Sequence, residues 1–250
     1  MLTSTHRSLR RIVFRPRLLL EGLALAAGGN LLLCWQGSRL LALHNDIVAA
    51  LLEFAEVPWE QGRHVILLPG VSASLFRTPY LDYREHSLYP GVFLGVALAL
   101  VALGFRRCPL PLRPLLLILP LSLGFTWFYL QVMAKEAPYD SEGFCAIWYR
   151  GEMYLWLLLP WIFAVGFFLL AVPRRMKLAW LALLLFYSFF WSGIRLATAL
   201  ATFYYLGALW LPLFYFVFGF LADFLYIVAI YSLAMDRAAS FLDRQAEAWA

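Results

Sequence analysis

Cys145 and Arg195 are the residues of this chain whose types could together support covalent chemistry. A thiol beside cations has a lowered pKa and reacts as the thiolate, and Arg150 and Arg195 are the cations expected near Cys145. A cysteine nucleophile also needs a base, usually a histidine. His64 and His86 lie in the long segment between the first two apolar runs and are the candidate bases. The alternative is an ordinary cysteine at a membrane surface.

Four ionisable residues fall inside apolar runs, where a charge is costly and needs a partner or a role. Arg195 and Glu152 are expected at a similar depth, since Arg195 lies about 25 Å along its helix. A Glu152–Arg195 pair would either lock two helices together or form an anion site or polarising group in an outward-facing pocket. Asp223 is expected deeper, either neutral and hydrogen-bonded or part of a proton path. Glu21 lies near the inner surface, within reach of water or Arg17.

Long apolar runs must position these side chains. The chain is 63% hydrophobic and 14% charged, against about 45–50% and about 25% in soluble domains. In lipid these runs must be helices, because an open strand would leave backbone polar groups unpaired. We therefore predict an all-α integral membrane protein, a six-helix transmembrane bundle that forms one domain over residues 1–250. The predicted spans are residues 18–35, 90–105, 114–133, 149–172, 178–202 and 211–235.

Charge distribution predicts the orientation of these spans. One set of flanks carries thirteen lysines and arginines and the opposite set carries six. The positive-inside rule then places both termini in the cytoplasm, and a bacterial inner membrane suits the composition. The net charge of +5 does not indicate nucleic-acid binding, because the basic residues sit at span ends. The expected partners are the lipid bilayer and other proteins of a membrane complex.

An outer insert, residues 36–89, separates the first two predicted spans. Residues 39–56 are amphipathic at helical spacing, and they either lie on the outer leaflet or continue the first span. Pro69-Gly70 between two apolar stretches predicts a small β-hairpin. Such a hairpin is too small to fold alone and should rest on the rim of the bundle.

The three cysteines do not have the spacing of a metal site or a disulfide framework. Cys34 could still pair with Cys145 where their helices meet. No metal or cofactor is expected. The first apolar run follows a long basic segment, so we expect a membrane span there and not a cleavable signal peptide.

Three short motifs resemble the exosortase/archaeosortase family, polytopic membrane enzymes that cut a C-terminal sorting tail. They are Phe144-Cys145-Ala146, the basic turn at 173–177 and the motif Trp191-Ser-Gly-Ile-Arg195, within residues 140–235. The resemblance implies that Cys145 is the nucleophile and that Arg195 stabilises negative charge. The chain differs at Ser192, where the family has Asn or a similar residue, and it has no histidine in residues 211–220.

The chain also resembles small membrane proteins that accompany exosortases. These have an insert after the first span, and a glutamate with a tyrosine at the mouth of a later span, as in Glu152-Met-Tyr154. The missing histidine favours a non-catalytic subunit of a cell-envelope protein sorting or assembly complex. The alternatives are an exosortase-like cysteine peptidase or transpeptidase at the outer face, and a transporter subunit that uses Asp223 and Arg195.

Overall fold

The computed structural model describes residues 16–79, 97–98, 101, 104, 120–121, 124–129, 140–211 and 214–247. This part of the chain is mostly helical. Three of its helices are long and apolar enough to cross a membrane: Pro16–Phe54, Arg174–Leu206 and Val217–Arg244. The predicted spans 90–105 and 114–133 lie largely outside the described residues, as does His86.

The first helix, α1 (Pro16–Phe54), is one continuous element of 39 residues. At 1.5 Å per residue it is about 58 Å long, nearly twice the roughly 30 Å of a bilayer's hydrocarbon core. Of the two placements predicted for residues 39–56, the structure has the continuation of the first span. Leu41, Val48 and Leu52 are buried along this second half, and Phe54 is exposed at its end.

The predicted hairpin is present. Strands β1 (Glu60–Leu68) and β2 (Val71–Arg77) pair antiparallel and are joined at Pro69-Gly70. Gly70 has φ +79°, a left-handed conformation that glycine adopts without steric cost. The hairpin packs on α1, where the Asn45 side chain donates to the Ser74 carbonyl at 2.9 Å. Its position outside the membrane remains a prediction.

The second long helix, α2 (Ser141–Gly166), starts where Asp140 accepts a hydrogen bond from the Gly143 backbone N–H at 2.7 Å. It ends at Gly166, whereas the predicted span ran to Val172. Turns follow, in which Phe167, Phe168, Leu170 and Val172 are buried, so hydropathy alone does not mark the end of the helix. The next helix, α3 (Arg174–Leu206), is longer than the predicted span 178–202 at both ends.

The last membrane segment is not a uniform α-helix. A short 3₁₀ turn (Ala208–Trp210) precedes a π-helix (Phe214–Leu221), which leads into α4 (Ala222–Glu247). π-Helical turns inside longer helices are rare and occur frequently at functional sites. The predicted span 211–235 therefore begins with irregular helix and continues past its predicted end.

Helices α1 and α3 run in the same direction and are joined at both ends. At one end Arg174 Nη2 lies 2.6 Å from Glu21 Oε1, closer than the 3.7 Å between Arg17 and the same carboxylate. At the other end the Tyr205 hydroxyl donates to the Ala55 carbonyl at 2.9 Å. The principal partner of Glu21 is thus Arg174, where the sequence suggested Arg17 or water.

Candidate functional site

Arg195 is the centre of a charged cluster that links three helices. Its side chain is 3% exposed, and Nη2 lies 2.9 Å from Glu152 Oε1 on α2 and 2.6 Å from Asp223 Oδ1 on α4. The structure therefore brings Glu152 and Arg195 together. Asp223, which was expected to lie deeper, contacts the same guanidinium. Asp223 follows the π-helix by two residues.

Backbone carbonyls of the π-helix complete the surroundings of Arg195. Its Nη1 donates to the Phe218 carbonyl and to the Gly219 carbonyl, the latter at 2.8 Å. The guanidinium also lies over the Trp148 ring, 5.4 Å from its centroid, in a cation–π contact. Two carboxylates, two carbonyls and a ring therefore surround this single cation.

The same face of α3 carries two serines that organise neighbouring polar groups. Ser188 Oγ accepts hydrogen bonds from Trp156 Nε1 at 3.1 Å and from the Tyr226 hydroxyl at 2.7 Å. Ser192 Oγ accepts from Trp148 Nε1 at 3.3 Å. Neither serine was predicted to be a site residue. Their signal was the spacing i, i+4 and i+7 of Ser188, Ser192 and Arg195, which puts all three on one side of a helix.

A cavity of about 1270 Å³ adjoins the cluster between α2 and the last membrane segment. Its α2 wall runs from Trp148 to Gly166 and its opposite wall from Tyr215 to Tyr231. We call this cavity the α2–α4 groove. Its lining is apolar apart from a few groups, among them Glu152 and Asp223. The side chains at its edges are largely exposed: Tyr154, Leu158, Val165, Phe220 and Phe224.

The charges of the cluster favour a cation or a hydrogen-bond donor as ligand. Two carboxylates face one guanidinium, and Glu152 Oε2 is buried without a hydrogen-bond partner in the described part of the chain. An anion would have to approach a site that already holds both carboxylates. The arrangement therefore does not support the predicted anion site, and Glu152 and Asp223 are the groups that a ligand would meet.

The predicted nucleophile lies apart from this cluster. Cys145 precedes the apolar stretch of α2, is fully buried, and its Sγ is 3.8 Å from the Phe76 carbonyl oxygen of β2. It is seven residues from Glu152 on α2, a rise of about 10 Å. Burial, with a smaller effect of the nearby charges of Asp140 and Glu142, raises the pKa of the Cys145 thiol to about 12. The expected activation by cations is therefore wrong.

The structure does not bring a histidine into hydrogen-bonding contact with Cys145 in the residues that it describes. His64 Nδ1 lies 3.2 Å from Ser74 Oγ, an exposed contact on the hairpin. His44 is buried on α1 among the rings of Tyr149, Trp156 and Phe189. Neither of its ring nitrogens has a hydrogen-bond partner in this part of the chain.

Cys34 and Cys145 are both free thiols, Cys34 exposed and Cys145 buried, so the suggested disulfide between them is absent. Among the described residues, no group of three or more histidine, cysteine, aspartate or glutamate side chains is arranged to hold a metal ion.

No protein-family model matches the chain, and comparisons with curated proteins and with solved structures return no match either.

Proposed function

We propose that this chain is a non-catalytic, multi-pass subunit of a cell-envelope protein sorting or assembly complex in a bacterial inner membrane. In this proposal the chain crosses the membrane six times. Residues 90–105 and 114–133 supply the second and third crossings. Residues 36–89 form the outer insert, and both termini are cytoplasmic.

The observation that carries the proposal is the α2–α4 groove with its charged floor. Surface side chains along both walls are apolar and exposed, including Leu158 at 53% and Phe220 at 78%. An exposed apolar groove with a few polar groups is typical of a binding surface. Within a bilayer, polar groups on such a surface hydrogen-bond to partner helices.

The state of the two candidate catalytic residues also favours a binding role over catalysis. Cys145 is buried beneath the hairpin, and the pKa of its thiol is raised. A nucleophilic cysteine needs a thiolate and access to substrate. Arg195 already binds two carboxylates and two carbonyls. Its remaining donor, Nε, is buried and has no hydrogen-bond partner in the described part of the chain, so a single N–H is left for a developing oxyanion.

Site-specific photo-crosslinking in intact cells tests the proposal. A photoreactive residue at Leu158, in the wall of the groove, should give a protein adduct of defined mass. The matched control position is Leu31 on α1, which is 72% exposed and lies outside the groove. Lipid adducts alone at both positions would contradict the proposal, as would purification of the chain in mild detergent without a stoichiometric companion.

A transporter subunit is the second candidate, and the observation that favours it is the pair of carboxylates at Arg195. Acids inside a membrane frequently form proton relays. The chain alone, reconstituted in vesicles with an internal pH dye, would then conduct protons. The flux would be lost in both Glu152→Gln and Asp223→Asn. Equal flux in vesicles with and without the chain would exclude this candidate.

A further inference from the structure

The α2–α4 groove has the length of a membrane-spanning helix. Its α2 wall covers eighteen residues after Trp148, a rise of about 27 Å, close to the roughly 30 Å of the hydrocarbon core. Its volume of about 1270 Å³ exceeds the roughly 300–1,000 Å³ of sites for small molecules. An elongated apolar occupant therefore fits the groove better than a compact ligand.

The groove also contains more acidic than basic side chains, two carboxyl groups and one guanidinium. With all three groups ionised, Glu152, Asp223 and Arg195 sum to one net negative charge, and Glu152 is 4% exposed with an unpartnered Oε2. A buried charge of this kind is costly in lipid unless a cation pairs with it. An occupant with one positive charge at the depth of the two acids would balance the fully ionised cluster.

From these two features, we infer that the α2–α4 groove binds a transmembrane helix of a partner protein, through a lysine or arginine that pairs with Glu152 and Asp223. This inference rests on the proposed function and adds the chemistry of the partner.

The other spans predicted for this chain cannot supply that charge. Residues 90–105 and 114–133 contain no lysine, arginine or histidine. Arg150, the basic residue of α2, is exposed and does not line the groove. Charge complementarity thus points to a separate polypeptide.

Binding of synthetic peptides to the full chain in phosphatidylcholine nanodiscs tests the inference. The probe is a fluorescent leucine–alanine helix of about 20 residues with one lysine about two turns below its outer end. The control peptide has norleucine at that position. We expect the lysine peptide to bind about tenfold more tightly, because an interhelical polar contact contributes about 1–2 kcal/mol in model peptides.

Neutral variants locate the contact. Glu152→Gln and Asp223→Asn should each reduce the tenfold preference to about twofold or less, since either change removes the net negative charge. Asp46→Asn changes an exposed acid on α1 and should leave the preference intact. Leu158→Trp, which keeps both acids, should weaken both peptides by filling the groove. Unchanged melting temperatures show that the variants are folded.

Several results would overturn the inference. These are equal binding of the two peptides, a preference that survives both neutral variants, or complete displacement by a long-chain alkylammonium that binds as tightly as the lysine peptide. If no peptide binds but Leu158 still cross-links to a protein in cells, the helix-binding inference fails while the proposed function stands. If the lysine peptide binds but no cellular protein cross-links to Leu158, the groove binds a helix as inferred while the proposed function fails.

Discussion

Arg195 joins three helices through one side chain. The loss of stability on its removal therefore depends on whether Glu152 and Asp223 keep their charges. The guanidinium holds Glu152 and Asp223 within 2.9 Å and 2.6 Å of the same nitrogen. Without it, two carboxylates and two π-helix carbonyls would share a buried space. Removing one member of a buried ion pair is costly because an uncompensated charge stays behind. Replacing every charged member avoids that cost.

We therefore predict that Arg195→Met lowers the free energy of unfolding by about 3–5 kcal/mol. Combining it with Glu152→Met and Asp223→Leu should recover most of the loss. Arg150→Met, an exposed arginine on α2, is the matched control and should change stability by less than about 0.5 kcal/mol. Denaturant unfolding in detergent micelles provides the measurement. Equal stabilities for the Arg195 and Arg150 variants would show that the cluster does not hold the helices.

For single residues, the sequence predicted the position along the helix axis but not which neighbours each side chain contacts. The positions of Glu152 and Arg195 along their helices gave the right pairing, because a rise of 1.5 Å per residue fixes height in the membrane. The contact of Asp223 with Arg195 was not predicted, and the π-helix that precedes Asp223 was not predicted either. It also left Cys145 at an accessible surface. Burial of that thiol depends on how the hairpin folds over α2.

Among the elements, the hairpin is fixed to α2 by one carboxylate. Glu142 Oε2 accepts a hydrogen bond from Arg63 Nε at 2.9 Å, and Glu142 Oε1 lies 3.9 Å from Arg77 Nε. Ser141 adds a second attachment, accepting from the Thr78 backbone N–H at 2.9 Å. Beneath these contacts lies Cys145.

Thiol labelling should report on this attachment. In the native protein, a membrane-impermeant maleimide should react with Cys145 only slowly. In Glu142→Ala the rate should rise about tenfold, because loss of a hydrogen bond to a charged group costs about 1.5–3 kcal/mol. Glu60→Ala, at an exposed position of β1, is the control and should leave the rate unchanged. A Cys34→Ala, Cys108→Ala background isolates the signal. Rapid labelling of the parent would contradict the burial of this thiol.

Close approach of α1 and α2 depends on a glycine. A Cβ at Gly22 would lie 3.1 Å from Phe168 Cβ and 3.2 Å from the Ala164 carbonyl oxygen, whereas a Cβ at Gly28 would meet nothing within 4 Å. We predict that Gly22→Val lowers the free energy of unfolding by about 1–3 kcal/mol through overpacking. Gly28→Val, which has the same change in helix propensity, is the control, and unfolding in micelles compares the two. Equal effects would contradict this helix contact.

Hydropathy and turn chemistry predicted most of the described helices and strands, but few of the positions at which they end or continue. Pro69-Gly70 gave the hairpin, because few residue pairs suit a two-residue turn. Continuity of α1 through Trp35 was left open, since an amphipathic segment satisfies a membrane surface and a helix extension equally well. The end of α2 at Gly166 was missed, since its following turn is as apolar as the helix.

For the whole molecule, helices α1 and α3 are parallel, and their corresponding ends are in contact. These contacts show which parts of the chain lie at the same end of the helix pair. The contact between Glu21 and Arg174 and the contact between Tyr205 and Ala55 lie at opposite ends of the helix pair. If α1 and α3 both cross the membrane, the side that holds residue 21 also holds the turn at 174–177, and the hairpin attached to the far half of α1 is expected on the other side. The positive-inside rule predicts the absolute orientation, with residue 21 at the cytoplasmic side.

A cysteine-accessibility experiment tests that orientation. In a cysteine-free background, Arg175→Cys, at an exposed residue of the basic turn, should resist an impermeant maleimide in intact cells and react after lysis. Glu60→Cys on the hairpin should react in intact cells. We expect opposite results because the two positions lie at opposite ends of the α1–α3 pair. Reaction of both from the exterior would contradict the helix pairing. Reversal of the two results would keep the pairing and invert the protein in the membrane.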